Sequence, residues 1–355
     1  MTIPATMRVP RFAGQGRIEW DEKPVPQPQA GQLLLQVRAN ALCGSERGQF
    51  HGGSRVTPGH EAAGVVVASG PQTSTRTGAQ GVVFLMDFCG ECRSCRLGFT
   101  NQCLRKRADM GFNRDGGYGV YELISENIFF AVDDDLSPTD ATLLLDVMGT
   151  GGHAIKRAQQ VRSDIESLLV CGAGPIGLGV LAMAKLLMGD DFPVFITDAN
   201  ASRLKLAQKL GGKTILLPDA ALSQPNEEAR PRGKSVVEGL NDYSVPNVDI
   251  AIDTSGKGAA RQSAMKVLAQ RGVLVCVGHG EGLQLDVSSQ MIAPERAVLG
   301  SEYFQFDELP DNLQLLRANR DYLGQIIAHR APIGELQSAF EMFFAGAAGK
   351  TVIEQ

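Results

Sequence analysis

The chain has 355 residues, 43% of them hydrophobic and 21% charged, with a formal net charge of -5. That length suits two domains of ordinary size, each able to bury its own core. The basic residues are dispersed apart from short clusters such as Arg105-Lys106-Arg107, which argues against a nucleic-acid partner, and no apolar run has the length to span a bilayer. The opening MTIPATMRVPRF lacks the apolar stretch of a signal peptide, so a cytoplasmic, reducing compartment is expected.

The first part of the chain, to about residue 148, carries short β-branched runs separated by Gly and Pro: Leu33 to Ala39, Gly64 to Gly70 and Gly81 to Met86. They predict a β-rich domain. Between these runs, Cys43-Gly44-Ser45-Glu46 and Gly59-His60-Glu61 supply a thiolate, an imidazole and two carboxylates. A catalytic zinc takes three such protein ligands and leaves one position open. Taken singly, Cys43 reads as a small buried hydrophobe and His60 as a structural histidine.

Further on, Cys89-x2-Cys92-x2-Cys95-x7-Cys103 places four thiolates close enough in sequence to close around one tetrahedral zinc. In a chain without a secretion signal this clustering points to metal rather than disulfides. The intervening Gly, Arg, Ser and Glu suit a solvated lobe, at about residues 87–107. Cys171 and Cys276 lie inside apolar runs and read as core thiols.

From Ser167 the pattern changes to alternating strands and helices: Ser167 to Cys171, Pro175 to Met188, Pro193 to Thr197 and Ala201 to Leu210. The strands Val248 to Asp253 and Val273 to Val277 flank a helical stretch at Gly258 to Ala269. This alternation predicts a doubly wound parallel sheet. Pro218 to Lys234 interrupts it as a polar surface segment. Helical stretches at Leu309 to Ala318 and Gly334 to Phe344 and a strand at Thr351 to Ile353 complete the chain.

Gly172-Ala173-Gly174-Pro175-Ile176-Gly177 follows one strand and opens a helix, the context in which G-x-G-x-x-G brings backbone N–H groups to a pyrophosphate. Asp198 closes the next strand about 20 residues beyond Gly177, where a ribose would be read. A carboxylate there favours NAD over NADP, although Arg203 stands five residues on. Val277 and Gly278 lie after a later strand, on the edge along which the rest of a dinucleotide would run.

With these motifs in this order, the chain resembles the zinc-dependent medium-chain dehydrogenase/reductase family of alcohol, polyol and threonine dehydrogenases. The resemblance rests on the Cys-Gly-Ser-acid step at Cys43, PGHEAAG at Pro58 to Gly64, the four-cysteine lobe, DVMGTGGHA at Asp146 to Ala154, VCGAGPIGLG at Val170 to Gly179, and Asp198. It implies an α/β fold: a GroES-like catalytic domain over residues 1–148 and 301–355 and a Rossmann cofactor domain over 149–300. Two zinc ions per chain are implied, one structural in the lobe and one catalytic on Cys43, His60 and Asp146, with Asp140 near the third position.

Glu61 resembles the acid that sits beside that zinc. Glu46 replaces the Asp usual behind it, Ser45 matches the hydroxyl that takes the substrate's proton, and Gly48 stands where many members carry a relay histidine. The resemblance further implies an NAD-linked interconversion of a secondary alcohol, polyol, sugar or cyclitol-like, with its ketone. It also implies a homodimer or homotetramer paired near Val298 to Tyr303. The alternatives are a dehydrogenase of hydrophobic or aryl alcohols, a zinc-independent quinone or enoyl reductase, and a non-catalytic NAD-binding sensor or scaffold. Leu85, Phe88, Phe112 and Phe50 are candidate apolar walls for the substrate, and Glu46, Arg47, Asn113 and Arg114 candidate polar ones.

Overall fold

The computed structural model describes residues 3–218 and 233–355, so the polar segment expected at Pro218 to Lys234 lies almost wholly outside the described residues. The chain divides into two compact units, one of residues 1–149, 303–346 and 350–355, the other of residues 150–302 and 347–349.

The first unit is built on a seven-stranded sheet. Its central strand, Gln32–Ala41, pairs antiparallel with Ala62–Ser69, with Tyr121–Ser125 and with Lys350–Glu354. Both faces are covered along Leu33 to Leu35, which are all fully buried, and this explains an unbroken apolar run there instead of an alternating one. The sheet continues through Gln80–Val83 to Phe129–Val132 on one side and to Ile327–Pro332 on the other. A rigid aromatic group sits beside it: Phe12 meets Phe340 edge-on at 5.1 Å, and Phe50 stacks on Phe340 at 5.3 Å.

The second unit carries six parallel strands in the spatial order Lys213–Leu216, Val194–Asp198, Leu168–Cys171, Val248–Asp253, Leu268–Cys276, Ala297–Gly300. In chain order this is 3-2-1-4-5-6, so the order reverses between the first strand and the fourth, and the crevice beyond their carboxyl ends is where such sheets hold ligands. Every residue of Leu168–Cys171 and Val248–Asp253 is buried, as expected of strands covered on both faces. Cys171 belongs to this core, and Cys276 packs partly buried against it.

Three details depart from the sequence reading. The run Gly81 to Met86 is two strands, Gln80–Val83 and Met86–Asp87, the second pairing with Ala108–Asp109 beside the cysteine lobe. The helix expected to reach Ala269 ends at Val267, and a strand starts at Leu268. Arg296 explains that boundary: its guanidinium donates to the carbonyls of Met265, Leu268 and Ala269, taking over acceptors that a further turn would use. The N-terminal hairpin Thr6–Gly14 with Arg17–Pro24 escaped notice because its second strand, RIEWDEKP, is half-exposed along its length and mostly charged.

Among the described residues, one buried carboxyl group has neither oxygen hydrogen-bonded. Glu122, on the strand Tyr121–Ser125, is 1% exposed, and neither carboxyl oxygen has a hydrogen bond. Burial, reinforced by the nearby Asp115, raises its pKa to about 8. The folded chain therefore keeps a proton that the unfolded chain releases in the ordinary carboxyl range. This group's contribution is complete at acid pH and is lost as pH climbs toward about 8. Urea denaturation across pH should show Glu122→Gln little changed near about pH 4 and more stable than the parent above about pH 8.

Candidate active site

Three distant segments of the first unit converge on one buried point. Cys43 ends the central strand's extension, just before the short turn Gly44–Glu46. His60 and Glu61 follow Gly59, whose φ of +102° suits glycine and whose missing side chain lets the Tyr118 backbone approach to where a Cβ would lie 2.8 Å from its nitrogen. Asp146 rises from a π-helical turn, Leu145–Thr150, a rare geometry often found at functional sites.

The ligand atoms of Cys43, His60, Glu61 and Asp146 all lie within 4.8 Å of one another. Cys43 Sγ is 3.2 Å from Asp146 Oδ2, and His60 Nε2 is 3.6 Å from the same oxygen. Asp140 stands apart, on the helix Pro138–Ala141 at 3.7 Å from Arg330.

The groups around this cluster orient it. Glu46, fully buried, accepts the backbone N–H of Cys43 at 3.1 Å and the Tyr118 hydroxyl at 3.1 Å, while its other oxygen faces His60 Nδ1 at 3.4 Å. That arrangement turns His60 Nε2 toward Asp146 and Cys43. Lys350, 1% exposed, donates to Glu61.

Sequence reasoning missed Tyr118 and Lys350. Lys350 sits 289 positions from its partner, and its one local signal is a lysine opening an apolar strand.

The electrostatics are those of crowded acids. Burial pushes the Cys43 thiol up, with Asp146 adding to it, and burial drives Glu61 up to about 8 against the pull of Lys350. Burial also works against a charge on His60, but hydrogen bonds to Asp146, Cys43 and Glu46 outweigh it and lift its pKa well above the usual value. Asp146 is held below the ordinary carboxylate range: burial opposes its charge, and His60 and Lys350 overcome that opposition.

Protons thus stand in this cluster where a divalent cation would supply the same charge. One soft thiolate, one imidazole and carboxylates suit zinc, and a buried Glu61 oxygen is left without a hydrogen bond.

The lobe has different geometry. All seven cysteines are free, and Cys92 Sγ lies 3.5 Å from Cys95 Sγ and 3.9 Å from Cys103 Sγ, with Cys89 Sγ 4.0 Å from Cys95 Sγ. Zinc bound to sulfur at about 2.3 Å requires sulfur–sulfur edges of about 3.8 Å. Backbone N–H groups from Cys95 and neighbouring residues lower the Cys92 thiol to about 6, so a thiolate is ready for the metal. The short helix Arg93–Arg96 inside the lobe buries none of its residues.

Residues 29–134 match the family model of the alcohol dehydrogenase GroES-like domain, and residues 175–318 match that of the zinc-binding dehydrogenases. The chain belongs to the zinc-dependent medium-chain dehydrogenase family. An uncharacterised zinc-type alcohol dehydrogenase-like protein of Escherichia coli K12 is 27% identical over 98% of both chains. An L-threonine 3-dehydrogenase of Francisella tularensis subsp. novicida is 27% identical over 94% of this chain and 95% of its own. Among solved structures, an E. coli CFT073 alcohol dehydrogenase complexed with NADH superposes with a TM-score of 0.84 at 19% identity, covering 99% of this chain and 100% of that one.

In this family member the glycine turn is built as its sequence requires. Gly172 has φ +102°, and a Cβ on Gly177 would lie 1.8 Å from the Gly172 carbonyl, so helix and turn approach too closely for any side chain. Gly174 precedes the helix Pro175–Met188, which starts with Pro175 and Ile176, and faces open space. Asp198 accepts the Ala173 N–H at 2.9 Å and the Asn200 N–H at 2.8 Å, with Arg203 Nη1 3.8 Å away. Val277 and Gly278 both donate to the Asp253 carbonyl at 2.9 Å.

The candidate substrate walls separate. Phe112 lies over His60, ring centres 5.1 Å apart, whereas Phe50 belongs to the aromatic core, Leu85 is fully buried and Phe88 packs on Phe84 and Phe306. Of the polar candidates, Glu46 is committed to Cys43 and Tyr118. Arg47 lies over Phe344, Asn113 accepts the Asp109 N–H and Arg114 pairs with Asp87.

Removing Lys350 would leave Glu61 buried without its counter-charge. Above about pH 8, where Glu61 is ionised, Lys350→Met is expected to cost about 3–5 kcal/mol in urea denaturation, and adding Glu61→Gln should restore most of it.

Proposed function

We propose that this chain is a dehydrogenase that interconverts a secondary alcohol and its ketone with NAD, using one zinc held by Cys43, His60 and Asp146 and a second held by Cys89, Cys92, Cys95 and Cys103. The convergence of Cys43, His60, Glu61 and Asp146 within one buried cluster carries this reading. When bound, zinc would supply Lewis acidity: it brings the pKa of an attached water from about 15.7 to about 7 and would lower that of an attached alcohol in the same direction.

Each residue then has a defined task. Cys43, His60 and Asp146 present three ligands, and the tie from Glu46 to the Cys43 backbone fixes the angle of the thiolate. Glu61, restrained by Lys350, stands as a fourth donor beside the position a substrate would take. Ser45, exposed two residues after Cys43, takes the proton that the substrate hydroxyl releases. A side chain at Gly48 would meet nothing within 4 Å, and His51 instead packs against Phe50 and Phe344. The proton from Ser45 therefore leaves to solvent without a histidine relay.

On the cofactor side, Gly172 and Gly177 let the turn and the helix Pro175–Met188 close on one another, Gly174 leaves open space for a pyrophosphate at the helix head, and the Ile176 and Gly177 amides lie in its first turn. Asp198 has lone pairs left after its two backbone bonds to accept ribose hydroxyls, which favours NAD. Arg203 partly offsets the carboxylate. Val277 and Gly278 line the edge for the nicotinamide half.

For the substrate, the relative named L-threonine 3-dehydrogenase supports a polar secondary alcohol, and within that class the reading is a polyol, sugar or cyclitol-like alcohol. Phe112 over His60 favours a second reading, a hydrophobic or aryl alcohol. NADH formation at 340 nm with a panel of both kinds separates them. Silence across the panel, with zinc and NADH both bound, would favour a non-catalytic sensor.

Cys43→Ser should abolish turnover, lower bound zinc from two ions to one per chain and leave NADH affinity unchanged. Alcohol oxidation at the parent rate by this variant would remove the catalytic-zinc reading. In parallel, Cys92→Ser should lose the lobe's zinc, and a metal content still at two would refute the lobe assignment.

A further inference from the structure

The second unit contains a buried ion pair that neither the zinc cluster nor the glycine turn uses. Arg261, on the helix Gly258–Val267, is 8% exposed, and its Nε donates to Asp253 Oδ2 at 2.7 Å. Asp253 is fully buried and ends the strand Val248–Asp253, the first strand beyond the reversal in sheet order. The two terminal nitrogens of Arg261 donate to two main-chain carbonyls, Gly278 and Glu281. Both carbonyls belong to the loop that follows the strand Leu268–Cys276.

That loop is joined at several points to the loop that follows the strand Val248–Asp253. Gly278 N donates to the Asp253 carbonyl at 2.9 Å, and Glu281 N to the Gly256 carbonyl at 2.8 Å. Glu281 accepts the Gly258 N–H at 2.8 Å. A Cβ on Gly256 would lie 2.1 Å from the His279 carbonyl, and one on Gly278 2.3 Å from the Gly256 nitrogen, so the two backbones touch. Asp253 Oδ1 also fixes Ser255 through its N–H and its hydroxyl, at 2.9 and 2.6 Å. Thr254 in turn donates to the carbonyls of Cys171 and Gly172, both at 3.1 Å, which links this pair of loops to the glycine turn.

A buried ion pair is a poor source of stability, since apolar side chains of the same volume serve as well or better. What an arginine adds is a rigid planar fork that sets several acceptors in one geometry. We propose that Arg261 is a positioning residue for the cofactor: it holds the loop Val277–Glu281 in its NAD-binding conformation before NAD arrives, so that binding does not have to order it. This rests on the NAD reading above. Order supplied in advance appears as affinity.

Arg261→Lys keeps a cation beside Asp253 but cannot span both carbonyls. NADH fluorescence titration should give a dissociation constant raised about tenfold, while ADP, which reaches only the glycine turn and Asp198, binds as to the parent. KM for NAD should rise with kcat at saturating NAD nearly unchanged. Unaltered NADH affinity, or equal losses for NADH and ADP, would overturn the positioning role. A parent chain that binds neither nucleotide would instead refute the cofactor reading itself.

Hydrogen exchange on the unsubstituted chain is independent of whether the variant folds. The Gly278 and Glu281 amides should be protected before NADH is added, and free exchange that slows only with NADH would also overturn the inference.

Discussion

The structure depends above all on burying several acids together. Glu46, Glu61, Asp146 and the Cys43 thiol occupy one small interior region, and an ionised carboxylate without compensation is among the costliest things a fold can bury. His60 and Lys350 are the cations that answer them. Much of the first unit can be understood as the scaffold for this balance. The central strand delivers Cys43, the adjoining strand starts directly after His60 and Glu61, the last strand brings Lys350, and a π-helical turn presents Asp146. A divalent cation would complete the balance more fully than protons can, because it could bind several of the donors at once.

The two metal clusters differ for a physical reason. The lobe draws its donors from 15 consecutive residues, Cys89 to Cys103, and its sulfurs are already spaced like the edges of a tetrahedron. Four thiolates fill the shell, which suits structure. The buried cluster instead gathers donors from positions 43, 60, 61 and 146, with three of its four residues deeply enclosed. Long-range assembly of this kind allows one donor, Glu61, to be tethered by a lysine while the others converge, an arrangement consistent with the open position of the proposed catalytic zinc.

Much of this was legible in the sequence because it is local. The glycine turn, the cysteine spacing and the strand–helix alternation each lie within a short window, and Pro175 to Met188 has the bounds its pattern predicts. What stayed hidden is long-range. Lys350 resembles any surface lysine until the last strand is placed beside Gln32–Ala41, and Tyr118 resembles a core aromatic until its hydroxyl meets Glu46. The helix end at Val267 has no local signal because its terminator, Arg296, lies outside the local window. Polar residues near Cys43 and the lobe suggested substrate contacts, yet Arg47, Asn113 and Arg114 are each committed to a structural partner.

The cofactor unit repeats the design of the metal unit with different chemistry. In both, a buried carboxylate at the end of an element is answered by one long cationic side chain: Lys350 for Glu61, Arg261 for Asp253. The choice of cation follows the task. Lys350 has one carboxylate to restrain, and a compact ammonium suffices. Arg261 must hold a carboxylate and two carbonyls in a fixed relation, which only a planar guanidinium can do. Neither pair is needed to bury apolar surface, and each stands beside a group with a proposed task, the zinc donors in one unit and the nucleotide loop in the other. Their positions are better explained by the geometry they impose than by the stability they add.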